Sequence, residues 1–231
     1  MTSRKIQYWV IPPEADGEFV AHMEKVLDVY ERPYDPAHPV LAMDEQPVQR
    51  IKETRKPVAA TAKHPRRVDY EYERAGTASI FMFTEPLAGW REATARESRT
   101  KLDWAEEVAR LAEGKYRHCE KITVVFDNLN THTIGAFYEK FTPARARKLA
   151  RRIEFCPTPK HGSWLNVAEN ELSSLTRQSL HGRRLGDLKT LRREISAWST
   201  DVNKTQRGVD WQMKVSDARC KLKSVYPKIR L

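Results

Sequence analysis

Two short apolar runs, Val40-Leu41-Ala42-Met43 and Ile122-Thr123-Val124-Val125-Phe126, each lead straight into an aspartate, Asp44 and Asp127. Both have the length and apolar continuity of a buried β-strand that stops on its acid. A carboxylate at the end of such a strand stands half desolvated at the mouth of a sheet, where a divalent cation offsets the cost of burying its charge. Two such strands side by side hold two oxygen ligands on a rigid frame. A third acid, Glu169, follows in the helical stretch Ser163-Trp164-Leu165-Asn166-Val167-Ala168-Glu169. The three together point to a two-metal phosphoryl-transfer site.

At 231 residues the chain suffices for one well-buried α/β domain with an appendage. It has no apolar run long enough to span a membrane and no apolar signal segment near Met1, so a soluble, cytoplasmic protein without a membrane partner is expected. Its cysteines, Cys119, Cys156 and Cys220, are odd in number and never form a CxxC pair, which argues against a disulfide framework or a zinc knuckle. Charge is unevenly placed. Residues 1–141 carry 21 Lys+Arg against 23 Asp+Glu, whereas residues 142–231 carry 20 against 8, a net of +12. Such a C-terminal excess fits a polyanion partner, of which nucleic acid is the commonest. A second basic segment, spanning residues 50–57 and 63–67, reads as a loop suited to phosphate contacts.

Along the chain, Phe19, Met23, Val26 and Tyr30 share a helical face, and the proline-rich stretch 32–39 breaks that helix into a stiff connector. Residues 68–73 alternate like a strand with one wet face, residues 74–77 supply a turn, residues 78–83 form a buried strand, and residues 90–94 complete an antiparallel meander. A helix follows, with Trp104, Val108 and Leu111 on its stripe, Asp103 and Glu106 as a capping box and Gly114 as C-cap. Next come the strand ending on Asp127, a helix over 134–150 broken or restarted at Pro143, and a short strand at 152–156. The Glu169 helix then carries the stripe Leu165, Ala168, Leu172, Leu175, and a last helix runs from Leu185 to Val202. This order, β-β-β-α-β-α-β-α, predicts an α/β fold with a mixed five-stranded sheet flanked by helices, the order of the ribonuclease-H-like fold. The organisation expected is a helix and connector over 1–38, a catalytic domain over 39–210 and a basic tail over 211–231.

Met43-Asp44-Glu45, Asp127-Asn128-Leu129-Asn130-Thr131-His132 and the Ser163–Glu169 stretch together resemble the catalytic core of the DDE transposases of the mariner-like superfamily, in its bacterial insertion-sequence branch. Trp9-Val10-Ile11-Pro12-Pro13, residues 69–77 and Pro86-Leu87-Ala88-Gly89-Trp90 also resemble that branch. The resemblance implies a catalytic, metal-binding triad of Asp44, Asp127 and Glu169 holding two Mg²⁺ or Mn²⁺ ions. Asn128, Asn130, His132 and Asn166 support it by orienting the loop and the helix. Glu45 faces away from Asp44 on an extended strand. Glu171 rivals Glu169, since both flank the same apolar stripe and periodicity does not choose between them; the Asn-x-x-Glu pattern of the family favours Glu169. Double-stranded DNA is the implied partner, with Arg55, Lys56, Arg66, Arg67, Arg147, Arg151, Arg183 and Arg184 on its phosphates and self-association on the DNA. The 42 positions from Asp127 to Glu169 exceed the usual gap, with the excess in the basic stretch 143–152, read as a longer DNA contact. About forty residues precede Asp44, too few for the helix-turn-helix modules of full-length relatives, so a separate end-recognition protein is a further expected partner. A non-catalytic DNA-binding remnant and a ribonuclease-H-like nuclease are the alternatives.

Overall fold

The computed structural model describes residue 14 and residues 16–127, 132–205 and 207–228. Asn128, Asn130 and the Trp9–Pro13 segment lie outside the described residues. Five strands form one sheet in the order β3-β2-β1-β4-β5. They are β1 (Val40–Glu53), β2 (Tyr72–Glu85), β3 (Trp90–Arg96), β4 (Ile122–Phe126) and β5 (Ile153–Pro157). β1, β2 and β3 pair antiparallel, while β1, β4 and β5 pair parallel, the mixed sheet expected.

Helices cover both faces because strand side chains alternate. Leu41, Met43, Phe81, Phe83, Val124 and Phe126 point to one side. There they meet Trp104 and Val108 of α2 (Lys101–Glu113), Phe137 of α3 (Ile134–Lys140) and Leu149 of α4 (Pro143–Arg152). Ala42, Ile80, Met82 and Val125 point to the other side. Their partners are Met23 and Leu27 of α1 (Gly17–Tyr30), Leu172 and Leu175 of α5 (Val167–Leu175), and Ile195 of α6 (Leu188–Lys204). The segment after residue 210, read as a basic tail, folds back onto α1. Trp211 packs on Tyr30 with ring centroids 5.3 Å apart, Ala218 of α7 (Val215–Lys221) is buried, and Arg219 grips Glu24 through two hydrogen bonds of 2.8 and 2.9 Å.

Four local expectations are corrected. β1 does not stop on Asp44: it runs on to Glu53, pairing with β2 as a two-stranded ribbon, because its polar residues still find ladder partners on one side. The turn expected over 74–77 is continuous strand. Between Gln49/Thr77 and Ile51/Arg74 the register slips by one residue, and Gly76, at a φ of 86°, takes up the extra residue of β2 as a bulge. The strand expected over 68–73 contributes only Tyr72 and Glu73. Finally, the capping box of α2 pairs Thr100 with Asp103, one turn earlier than Asp103 with Glu106. Pro143 does restart a helix, at the first position of α4, where its missing N–H costs nothing.

The free edge of β3 is covered by α6 through side chains that stand in for a sixth strand. Asn203 accepts from the Arg91 N–H at 2.9 Å and donates to the Arg91 carbonyl at 2.7 Å, Ser199 accepts from the Ala93 N–H, and Arg192 donates to the Ala95 carbonyl. The Arg91 side chain runs inward from this edge. Its Nε lies 2.9 Å from Oε2 of Glu171 on α5, with both side chains almost wholly buried. Removing one partner strands the other charge, so Arg91→Met is expected to cost about 3–5 kcal/mol in denaturant unfolding. Arg91→Met combined with Glu171→Leu should recover part of that loss.

Candidate metal centre

The register of β1 against β4 sets the site. The parallel pairing runs from Val40/Thr123 to Met43/Phe126, so the next step sets Asp44 beside Asp127 at the carboxyl ends of the two central strands. Parity decides the face. Asp44 follows Ala42, and Asp127 follows Val125, onto the side covered by α5. Glu169 lies in the first turn of α5, where the helix dipole favours a carboxylate. One carboxylate oxygen from each of Asp44, Asp127 and Glu169 lies within 4.8 Å of the other two. The three are half-buried.

Asn166 locks the arrangement. Its amide nitrogen donates to the Met43 carbonyl at 3.0 Å and to the Asp127 carboxylate at 3.2 Å, while its amide oxygen caps α5 by accepting from the Ala168 N–H at 3.2 Å. The Tyr30 hydroxyl, buried under α1, donates to the Leu165 carbonyl at 2.9 Å and fixes the short 3₁₀ turn that leads into α5.

The electrostatics are those of an acid cluster short of positive charge. Among the described residues, none of the three acids forms an ion pair with Lys, Arg or His. Burial pushes the Asp44 carboxyl up to about 7, with the charges on Asp127 and Glu169 adding to it and the Glu45 N–H opposing. Burial, with the Asp127 charge, also raises Glu169, against a hydrogen bond from the Ser163 side chain. A divalent cation is the group such a set lacks, and an all-oxygen donor set suits Mg²⁺ or Mn²⁺.

The neighbouring acids have other work. Glu45 points to the opposite face, as expected, yet it is buried: it pairs with His132 at 3.1 Å, and the His132 ring stacks on Trp104 at 5.1 Å. His132 thus packs on the far side of the sheet and does not face the triad. Glu171 is held by Arg91 across the core, which leaves Glu169 as the helix acid at the cluster.

The basic residues divide in two. Arg55, Lys56, Arg66, Arg67, Arg147, Arg151 and Arg183 are exposed. Arg55 and Arg66 make loose pairs with Asp69 and Glu53 beyond the ribbon end. Arg184 is consumed internally: it contacts Glu53 at 2.6 Å and the carbonyls of Glu71 and Asp69 at 2.8 and 2.6 Å, tying the loop to the body. α4 runs away from the acids and ends where β5 begins, so Arg151 lies at the opposite end of the parallel strands from Asp127. Residues 143–152 therefore do not extend the metal centre itself.

A ribonuclease-H-like sheet with carboxylates converging at the ends of its central strands defines a class of metal-dependent enzymes acting on phosphodiesters. The chain belongs to the DDE superfamily endonuclease family, which matches residues 39–192. Among solved structures, the mariner Mos1 paired-end complex with Mg matches with a TM-score of 0.58 at 13% identity, over 98% of this chain and 68% of that one. The Mos1 paired-end complex with Mn matches with a TM-score of 0.52 at 13% identity, over 89% of this chain and 64% of that one. The Mos1 strand transfer complex gives 0.51 at 15% identity, over 86% and 59%. At such identities the likeness is one of fold. No curated protein sequence matches the chain. No helix among the described residues is long and apolar enough to cross a membrane.

Three outcomes follow. Because cation binding must displace a proton from Asp44 below about pH 7, Mn²⁺ affinity measured by titration calorimetry should be about tenfold weaker at pH 6 than at pH 8. In EDTA, the stability linked to Asp44 is full below its unfolded pKa near 4 and is lost as pH rises through 7, so the Mg²⁺-dependent rise in Tm should grow over the same interval. Asn166→Ala removes both the cap and the tie, and should lower unfolding stability by about 1–3 kcal/mol while weakening Mn²⁺ binding.

Proposed function

We propose that the chain carries the catalytic domain of a DDE transposase of the mariner-like superfamily, in its bacterial insertion-sequence branch, which cuts double-stranded DNA and joins the freed 3′ end to a target. The observation that carries the reading is the convergence of the Asp44, Asp127 and Glu169 oxygens, in a chain of the DDE superfamily endonuclease family. Two Mg²⁺ or Mn²⁺ ions, when bound, activate the attacking oxygen and relieve charge at the leaving one. The protein's part is positional. Asp44 and Asp127, fixed side by side by the strand register, and Glu169 from α5 would hold the cations, and Asn166 keeps the Asp127 carboxylate turned toward the cluster.

The exposed Arg55, Lys56, Arg66, Arg67 and Arg183, with Arg147 and Arg151 on a separate flank, hold phosphates without reading sequence. The Mos1 neighbours are paired-end and strand transfer complexes, and by analogy this chain acts as a dimer or larger assembly on paired DNA ends in the cytoplasm, at the nucleoid. The chain spans 64% of the Mos1 chain in the Mn complex, and a separate end-recognition protein is part of the proposal.

Nicking of supercoiled plasmid with Mn²⁺ tests the reading. Wild type should nick, and Asp127→Ala should lose activity by about 100-fold or more. Equal activity in Asp127→Ala would remove the catalytic assignment. No nicking by wild type, with DNA still bound, would leave a DNA-binding remnant, and a preference for RNA–DNA hybrid would indicate a ribonuclease-H-type nuclease. Affinity for duplex DNA should fall with salt along a slope of log K against log[salt] steeper than about −3. A slope near zero would mean that the basic surface is idle.

A further inference from the structure

The turn that leads into α5 is held from a second side, by the end of α1. Asn166 stands between Leu165, which closes the 3₁₀ turn, and Val167, which opens the helix. The buried Tyr30 hydroxyl touches the backbone on both sides of it, donating to the Leu165 carbonyl at 2.9 Å and accepting from the Val167 N–H at 3.5 Å. The Val167 N–H is one of the donors that a helix start leaves without an internal partner. The Asn166 side chain satisfies the next one, on Ala168, so a phenol and an amide divide the start of α5 between them. Burial pushes the Tyr30 phenol well above its ordinary value, and the hydroxyl keeps its proton for the Leu165 carbonyl.

Tyr30 ends α1, and its ring is seated by the segment that follows α6. Trp211 lies against it with ring centroids 5.3 Å apart and planes inclined by 36°. That segment is pinned on either side of Trp211: the Val209 N–H donates to the Pro86 carbonyl at 2.9 Å, and the Val215 N–H donates to Glu31 at 3.0 Å. Tyr30, Val167, Val209 and Trp211 line one cleft. The indole N–H of Trp211 is buried with no acceptor among the described residues, so the ring acts through its face and not through a hydrogen bond. A chain of contacts thus runs from Trp211 to Tyr30 and on to the backbone beside Asn166. From there the Asn166 amide carries it to the Met43 carbonyl and the Asp127 carboxylate. We propose that Tyr30, seated by Trp211, is a positioning residue of the metal centre, whose hydroxyl sets the Asn166 amide and with it the spacing of Asp127 and Glu169 for a cation. Groups that orient a metal's ligands from behind are worth roughly 10–100-fold in metal affinity. The assignment rests on the metal-centre reading of the three acids and deepens it, and it does not depend on DNA cleavage.

The test uses the full chain as wild type, Tyr30→Phe, Trp211→Ala, Trp211→Phe and Tyr226→Phe. Tyr30→Phe keeps the ring and removes both hydroxyl contacts, and calorimetric Mn²⁺ affinity should fall by at least about tenfold. Without metal, exchange of the Val167 amide hydrogen, followed by NMR, should quicken by about tenfold or more. Trp211→Ala should weaken Mn²⁺ binding in the same direction, and Trp211→Phe should restore most of it. Tyr226→Phe is the control: it removes a 2.9 Å bond to Glu24 at the contact between α1 and the C-terminal segment, and should leave Mn²⁺ affinity at the wild-type value. Wild-type Mn²⁺ affinity in Tyr30→Phe, even with faster exchange or a lowered Tm, would make Tyr30 a purely structural residue and overturn the assignment. An equal loss of affinity in Tyr226→Phe would overturn it too. If wild type binds Mn²⁺ but does not nick DNA, the cleavage reading fails alone and the affinities still decide Tyr30; if wild type binds no Mn²⁺, the metal-centre reading fails and this assignment with it.

Discussion

One buried amide joins the three elements on which the site is built. Asn166 is almost wholly enclosed, and it satisfies both ends of its side chain: the nitrogen on the Met43 carbonyl and the Asp127 carboxylate, the oxygen on the first turn of α5. Burying an amide without partners would cost a few kcal/mol, so these bonds make the conformation obligatory, with no slack for α5 to slide along the sheet. The rigidity matters because the acids repel. A carboxyl held near pH 7 by burial and by its neighbours' charges would swing apart on a looser frame. The strand register holds two of the acids, and the α5 packing of Ala168, Leu172 and Leu175 holds the third.

The sheet also separates chemistry from support. Asp44 and Glu45 are neighbours in sequence, but strand alternation sends one into the cation site and the other to His132 on the opposite face. Glu169 and Glu171, two positions apart on a helix, diverge by about 200° around its axis and end in equally different places. Glu169 faces the cluster, whereas Glu171 neutralises Arg91 beneath the β3 edge. In each pair one acid is left short of cation and the other is paired inside the protein. The fold therefore spends part of its internal positive charge on holding the frame and leaves the deficit at a single place.

What the sequence made legible follows from this division. Apolar runs mark strands buried on both faces, so the central strands, the order of elements along the chain and the Asp44/Asp127 pair could be read from the residues. The β1–β2 ribbon could not, because beyond Asp44 its residues are polar and its order comes from ladder hydrogen bonds with a single neighbour; Gly76 looks the same in a turn and in a bulge. Periodicity left Glu169 and Glu171 equivalent; in the fold Arg91, eighty positions away, and Arg207 pair with Glu171 and set it apart. Arg183 and Arg184 are adjacent and chemically alike, yet Arg184 closes the 54–71 loop while Arg183 stays at the surface.

The ribbon gives the site its reach. From Asp44 to Glu53 the strand advances about 30 Å at 3.3 Å per residue, a distance comparable to nine steps of a duplex. Gln46, Arg177 and the Arg66/Arg183/Arg193 group are distributed along that length, near the acids at one end and near Glu53 at the other. Mixed pairing is what permits this. The parallel half of the sheet ends at the acids because β4 and β5 are short and buried, whereas the antiparallel half can continue into solvent with one pair of strands sustaining each other. On the proposed reading, a backbone laid along the ribbon meets cations at the floor of the site and guanidinium groups further out. The net positive charge of residues 142–231 then acts through exposed arginines, of which Arg183 and Arg193 share the single carboxylate of Glu194.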